Sequence, residues 1–204
     1  MSFNEEVMKK YLVGVILIVF LICPVPALAG VPLDTVKGYA DKVLEVLRDP
    51  ALKAEAAKKT KKEKLRAISE KMFDFTELSR RTLANNWKKL SPEQQKEFVE
   101  LYTSLLEDAY SKKIMAYSDE KITFTKEVPL SEKTVEVQST VLKKSAETPI
   151  NYRVILQDGV WRVYDVVVEG VSLISNYRSQ FKEILANKPP ESLLETLRKK
   201  VGKV

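Results

Sequence analysis

The spacing of apolar residues changes twice along this chain, and nothing constrains its fold more. From Pro32 to Tyr117 hydrophobic side chains recur every three or four positions. From Lys121 to Val168 they recur at every second position, and beyond Glu169-Gly170 the longer spacing returns. One face of an α-helix repeats about every 3.6 residues and one face of a strand every two. The chain therefore reads as helices, then a sheet, then helices. This is an α+β protein in which a curved four-stranded antiparallel sheet is wrapped by helices from both ends of the chain.

In the first helical block Pro32 stands at a helix start. Val36, Ala40, Val43 and Leu47 then form one stripe, which Arg48-Asp49-Pro50 ends. Lys53 to Arg66 carries seven basic and two acidic residues and reads as a solvated helix face, or as a patch facing a membrane or partner. Thr60 and Glu63 have capping-box spacing, in which a hydroxyl and a carboxylate each bond an orphan backbone N–H. Leu65, Ile68 and Met72 carry the stripe onward. Asp74 with Glu77 repeats the capping pattern, and Leu83, Trp87 and Leu90 line a short helix. Ser91-Pro92-Glu93-Gln94 is a third start signal, with Pro at the first helical position, where its missing N–H is harmless. The helix it opens has a wide apolar face: Phe98, Leu101, Tyr102, Leu105 and Ala109, flanked by Leu106, Tyr110, Ile114 and Tyr117.

In the central block Ile122 and Phe124 alternate with Thr123 and Thr125. Val135, Val137, Ser139 and Val141 alternate with polar residues, as do Tyr152, Val154 and Leu156. Asp158-Gly159 is the dipeptide of a two-residue hairpin with a primed turn, and Val160–Val168 returns from it. Pro129 and the stretch 143–149 supply the other connections. Past Gly170, Leu173, Ile174, Tyr177, Phe181, Ile184 and Leu185 make a helical stripe. Asn187-Lys188-Pro189-Pro190 interrupts it before a short amphipathic helix over 191–200. The reading is one domain, residues 30–204, helical over 30–118, sheet over 119–168 and helical again over 170–204.

Residues 1–29 have another character. Met8-Lys9-Lys10 precedes an apolar run from Tyr11 to Ile22, and Ala27-Leu28-Ala29 has the spacing of a signal-peptidase site. A basic start, a short greasy run and an A-x-A site make a secretory signal peptide. The run is short for a transmembrane helix, and an uncleaved anchor is the alternative. Cleavage would leave Gly30–Val204 in the periplasm. The one cysteine, Cys23, lies inside the signal and lacks the small residue before it that lipid attachment needs; the chain has no histidine. The exported part then offers no Ser-His-Asp or Cys-His nucleophile, no ordinary zinc ligands and no disulfides, so a core must hold it together. Glu5, Glu6, Lys9 and Lys10 cancel, so the exported part keeps the formal charge of +6. Outside the cytosol that charge points to anionic membrane surfaces or acidic protein patches, not nucleic acid; it also serves plain solubility.

Little here looks catalytic. Six glycines and no glycine-rich loop leave no phosphate cradle. Asp165 and Glu169 could be paired carboxylates for acid–base work. Their four-residue offset along a strand separates them by roughly 13 Å, too far to share a proton. Asp165 falls on the Trp161/Val163 side and reads as structural, partnering a backbone amide or an arginine; Arg178 is a candidate across the turn at Gly170. The apolar inventory suggests binding instead. A sheet with one greasy face, curled over aromatic helix stripes, either closes as core or stays open as a cavity, and periodicity does not decide which.

Two blocks resemble the MlaC family, also called the toluene-tolerance family. The first is Phe73-Asp74-Phe75-Thr76-Glu77-Leu78-Ser79-Arg80-Arg81 through Trp87, then Leu90-Ser91-Pro92-Glu93-Gln94-Gln95 and Phe98. The second is Asp158-Gly159-Val160-Trp161-Arg162-Val163-Tyr164-Asp165-Val166, then Glu169-Gly170-Val171-Ser172-Leu173-Ile174, Asn176-Tyr177-Arg178 and Gln180-Phe181. Their order and spacing match across essentially the whole of residues 30–204. The resemblance implies a periplasmic phospholipid carrier, serving lipid asymmetry by shuttling between an outer-membrane lipoprotein–porin complex and an inner-membrane ABC-transporter complex. It implies acyl chains held in a cavity between sheet and helices, with lipid as cargo and no metal, redox cofactor or catalytic residue. A hopanoid-associated branch of the same superfamily is an alternative.

Lipid-binding candidates follow from alternation and stripe. The sheet offers Val135, Val137, Val141, Tyr152, Val154, Trp161 and Val163. The helices offer Leu83, Phe98, Leu101, Tyr102, Leu105 and Tyr110, with Leu173 and Tyr177 from the return helix. Each also fits ordinary core. Basic residues near a mouth would favour anionic head groups. The expected protein is a monomer that touches membrane surfaces transiently and binds no nucleic acid. Two other readings stand beside it: an α+β enzyme for a small apolar substrate using Asp165 or Glu169, and a module that docks a protein through 53–66.

Overall fold

A computed structural model describes residues 31–117, 120–143, 146–186 and 188–202. The signal-like segment and Cys23 lie outside the described residues. Helices α1 (Val31–Arg48), α2 (Lys58–Met72), α3 (Phe75–Leu83) and α4 (Pro92–Met115) precede the strands. Then come β1 (Lys121–Ser131), β2 (Thr134–Lys143), β3 (Ala146–Gln157), β4 (Val160–Val168) and a two-residue β5 (Val171–Ser172). Helices α5 (Leu173–Leu185) and α6 (Pro190–Lys200) close the chain. The sheet is an antiparallel meander in the order β1-β2-β3-β4-β5. It has five strands where alternation showed four, because two residues are too few to display a period.

Local chemistry sets most boundaries. Ser91 and Gln94 form a complete capping box at the start of α4. Asp74 caps α3 by accepting from the Glu77 N–H at 2.8 Å, while the Glu77 carboxylate turns to Arg80 and Arg81 instead of closing a box. The Thr60–Glu63 pattern is not used: α2 already begins at Lys58, and no side chain caps it. Trp87 lies in a 3₁₀ turn over Ala84–Lys89, so Leu83, Trp87 and Leu90 do not share one helix. Asp158 and Gly159 both have positive φ, 49° and 77°, as the primed turn requires.

Pro129 is not a connection. It lies within β1, opposite Val135, beside a register shift, and the β1–β2 turn falls at Glu132-Lys133. An edge strand tolerates a residue without an N–H, because one side of its ladder has no partner. Likewise Pro149 is inside β3, opposite Thr140.

A second register shift matters more. On β3, Arg153 faces Asp165 and the next residue, Val154, faces Val163, so Tyr164 is an extra residue on β4. Such a bulge reverses the alternation beyond it. Asp165 therefore leaves the Trp161/Val163 face on which simple alternation puts it. It accepts from Ser172 Oγ at 2.6 Å, the Ile174 N–H at 3.1 Å and Arg153 at 3.2 Å. Arg178 is not its partner; that guanidinium donates to the carbonyl of Arg81.

Buried side chains form two clusters. One joins α3, α4, α5 and α6 around Phe98, Tyr102 and Phe181, whose rings meet at centroid distances of 5.3–5.7 Å. The other lies on the opposite side of the sheet, where Val137, Val154, Trp161, Val163 and Val166 meet Val36 of α1 and Met72 of α2.

Candidate functional site

Between α1, α2, α4 and the sheet the structure leaves a cavity of about 570 Å³. Its existence follows from sparse packing between two helices. Helices α3, α4, α5 and α6 pack on one another directly, and α2 packs on α1, but α2 and α4 stand apart over the sheet. The walls are the stripes of α1 and α2 (Ala40, Val43, Leu65, Ile68, Met72), Leu106 and Ile114 of α4, and Ile122, Ile150, Tyr152, Val166 and Val168 of the sheet. Phe73, Leu78 and Leu173 also line it.

The interior carries no ionised group. The Tyr152 side chain faces the cavity far from bulk water, and burial pushes its phenol up to about 12. Burial also raises the Tyr110 phenol, so both stay neutral near pH 7. Charges gather at the lips. Lys59, Lys62, Glu63 and Arg66 border the opening from α2, and Glu107, Asp108 and Ser111 border it from α4. Arg66 Nε lies 3.0 Å from Glu70 and 3.5 Å from Glu107, the second contact spanning the two lips. These contacts hold the guanidinium above its usual pKa. Lys61, in the same basic run, is not solvated; it is buried and donates to the carbonyl of Leu47 at 3.2 Å, fixing α2 to the end of α1.

The sequence candidates divide between the cavity and the two cores. Tyr110, Tyr152 and Leu173 line the cavity. Leu83, Phe98, Leu101 and Tyr102 are buried in the helical cluster, with Leu105 and Tyr177 against it. Val137, Val154, Trp161 and Val163 are buried in the sheet cluster, with Val135 against it. Val141 pairs with Ile122 but is not among the lining residues. Sequence reasoning saw the α1 and α2 stripes but did not nominate them. Their signal was the interruption of an apolar stripe by an unusually basic run, which marks where a greasy wall meets solvent.

The class defined by this arrangement is an α+β protein with a largely apolar cavity between its helices and one antiparallel sheet. Residues 37–199 match the family model described as MlaC protein, and the chain belongs to that family. Over 119 residues it is 25% identical to the intermembrane phospholipid transport system binding protein MlaC of Haemophilus influenzae. That alignment covers 56% of each chain, so this chain spans about half the length of that curated relative. A phospholipid-binding protein from Ralstonia solanacearum, solved in complex with a phospholipid, shares the fold. Its TM-score is 0.74 over 84% of this chain and 97% of that one, at 22% identity.

Proposed function

We propose that this protein is a periplasmic phospholipid carrier. It takes acyl chains into the cavity and moves lipid, as a monomer with transient membrane contact, between an outer-membrane lipoprotein–porin complex and an inner-membrane ABC-transporter complex. The observation that carries the reading is the cavity of about 570 Å³ between α1, α2, α4 and the sheet, apolar except for the charges at its mouth. Its volume lies within the range of ligand pockets, roughly 300–1,000 Å³. Family membership and the relatives' printed functions agree with it.

The physics sets two demands. Two acyl chains hold about thirty methylenes, each worth about 0.8 kcal/mol on burial. Leaving them in water would cost roughly 24 kcal/mol, beyond the ceiling of noncovalent affinity, so a carrier must cover nearly all of them. It must also hold them no more tightly than a bilayer does, or it would never unload. Walls of Val, Leu, Ile and neutral Tyr meet both demands. The reading assigns no catalytic group and no cofactor; the lipid is cargo.

The test is to express the full chain in a Gram-negative host and examine the exported protein by native mass spectrometry, then after organic extraction. The expected mass is that of a chain beginning at Gly30 plus about one phospholipid. A folded chain of bare mass that also takes no lipid from phospholipid vesicles would sink the proposal. A polycyclic lipid bound in place of phospholipid would move the protein to the hopanoid-associated branch.

A further inference from the structure

The cavity mouth is polarised across its width. On the α2 lip, Lys59, Lys62 and Arg66 outnumber Glu63; the lining charges that α4 itself contributes are Asp108 and Glu107, the latter reached by Arg66 from across the mouth. One side is net positive, the other net negative, and the lining charges balance. The Arg66–Glu107 contact of 3.5 Å shows that side chains from the two lips reach one another over the opening. Among the described residues, Lys59, Lys62 and Asp108 take part in no ion pair. The deep walls, being uncharged, give a head group no other place to settle than this rim.

We propose that the mouth selects phospholipids with a zwitterionic, amine-bearing head group over anionic ones, the phosphate lying against Lys59 and Lys62 and the ammonium against Glu107 and Asp108. The inference rests on the carrier reading and narrows its cargo. A phosphate alone would satisfy the α2 lip and meet repulsion from the α4 lip. A phosphate joined to an amine matches both signs. The basic composition of the whole chain favours anionic lipids in general, but charge beyond about 8–10 Å of the rim is screened at ordinary salt, and the rim itself is balanced.

The test uses the full-length exported protein, stripped of lipid and incubated with vesicles holding equal amounts of two phospholipids. The two have identical acyl chains, one with an ethanolamine head group and one with a glycerol head group. Bound lipid is extracted and counted by mass spectrometry. Exposed charge contacts of this kind are weak, so the expected enrichment of the ethanolamine lipid is about threefold. Asp108→Asn, alone and with Glu107→Gln, lowers that ratio, and Lys59→Gln with Lys62→Gln raises it; the opposite signs separate head-group reading from general damage. A wild-type ratio at or below that of the vesicles overturns the inference, as does a shift of both variant sets in one direction. Total lipid per wild-type chain reads the carrier proposal independently. Lipid bound without head-group preference defeats only the selectivity, whereas no lipid bound defeats the carrier reading and the selectivity with it.

Discussion

The two sides of the molecule carry apolar helix stripes at the same spacings, yet one is closed and the other open. On the α3–α4–α5–α6 side, Phe98 and Tyr102 are fully buried and meet Phe181 and Tyr177 edge to face. On the α1–α2 side, Ile68, Met72 and Val43 face a void. The difference is in what faces each stripe. The closed side meets other helices, tied by Arg198 of α6 to Glu97 of α4 at 2.6 Å. The open side meets a curved sheet across a gap, and its tie to α4 is an ion pair whose arginine is more than half exposed. An apolar stripe thus specifies that a face avoids water; the neighbour decides whether protein or ligand covers it.

Truncation on the two sides should break this comparison most sharply. Phe98→Ala removes a fully buried ring that cannot be replaced and should cost about 4 kcal/mol. Ile68→Ala removes atoms that already border a void and should cost about 1 kcal/mol, since little new cavity forms. Urea unfolding of the two variants checks both values, and equal losses would mean that the open side is packed in solution. Next in size, Asp165→Ala should cost about 3 kcal/mol by leaving the Ser172 hydroxyl, the Ile174 N–H and Arg153 without their shared acceptor. Asp165→Asn, which keeps the shape, separates lost hydrogen bonds from lost packing.

The open side should respond in a different currency. Val43→Phe places a ring into the cavity, and the expected outcome is less lipid per exported chain with unfolding stability unchanged or raised. A matched loss of stability would show that the space is not there.

The smallest effect concerns acid. Burial raises the pKa of Glu77, but the Arg80 and Arg81 guanidiniums, at 2.7 and 2.6 Å, outweigh it and hold the carboxyl below its usual value. A carboxyl depressed in the folded state stabilises above its unfolded pKa, and that stability is lost as pH falls through the folded value. Glu77→Gln should therefore narrow the stability gap between pH 7 and pH 3 by up to about 1 kcal/mol, since both arginines are partly exposed.

Much of the fold was legible because period and punctuation agreed. The capping box at Ser91, the turn at Asp158-Gly159 and the breaks at Arg48-Asp49-Pro50 and near Pro189 all stand where residue chemistry puts them. What escaped was non-local. The bulge at Tyr164 leaves no mark in the residue types of β4, so the side on which Asp165 lies could not be read by counting alternate positions. Pro129 looked like a breaker because only pairing shows that β1 is an edge. The candidate cavity walls were harder to read: Phe98 and Ile68 sit on stripes of the same period, their neighbours are distant in sequence, and only the basic run over 53–66 sets the open side apart.

That edge strand has a consequence for how the protein behaves in a crowd. A long flat strand with a free row of N–H and C=O groups invites another copy to add itself, which is how many sheet proteins precipitate. Here the invitation is withdrawn along its length. Lys121 and Lys126 stand on β1, Pro129 removes a donor, two register shifts break the regular row, and the Leu33 N–H of α1 is bonded to the Glu127 carboxylate at 2.6 Å. Strand β1 is therefore a poor template for a second copy, and the sheet ends at it by design of its own residues.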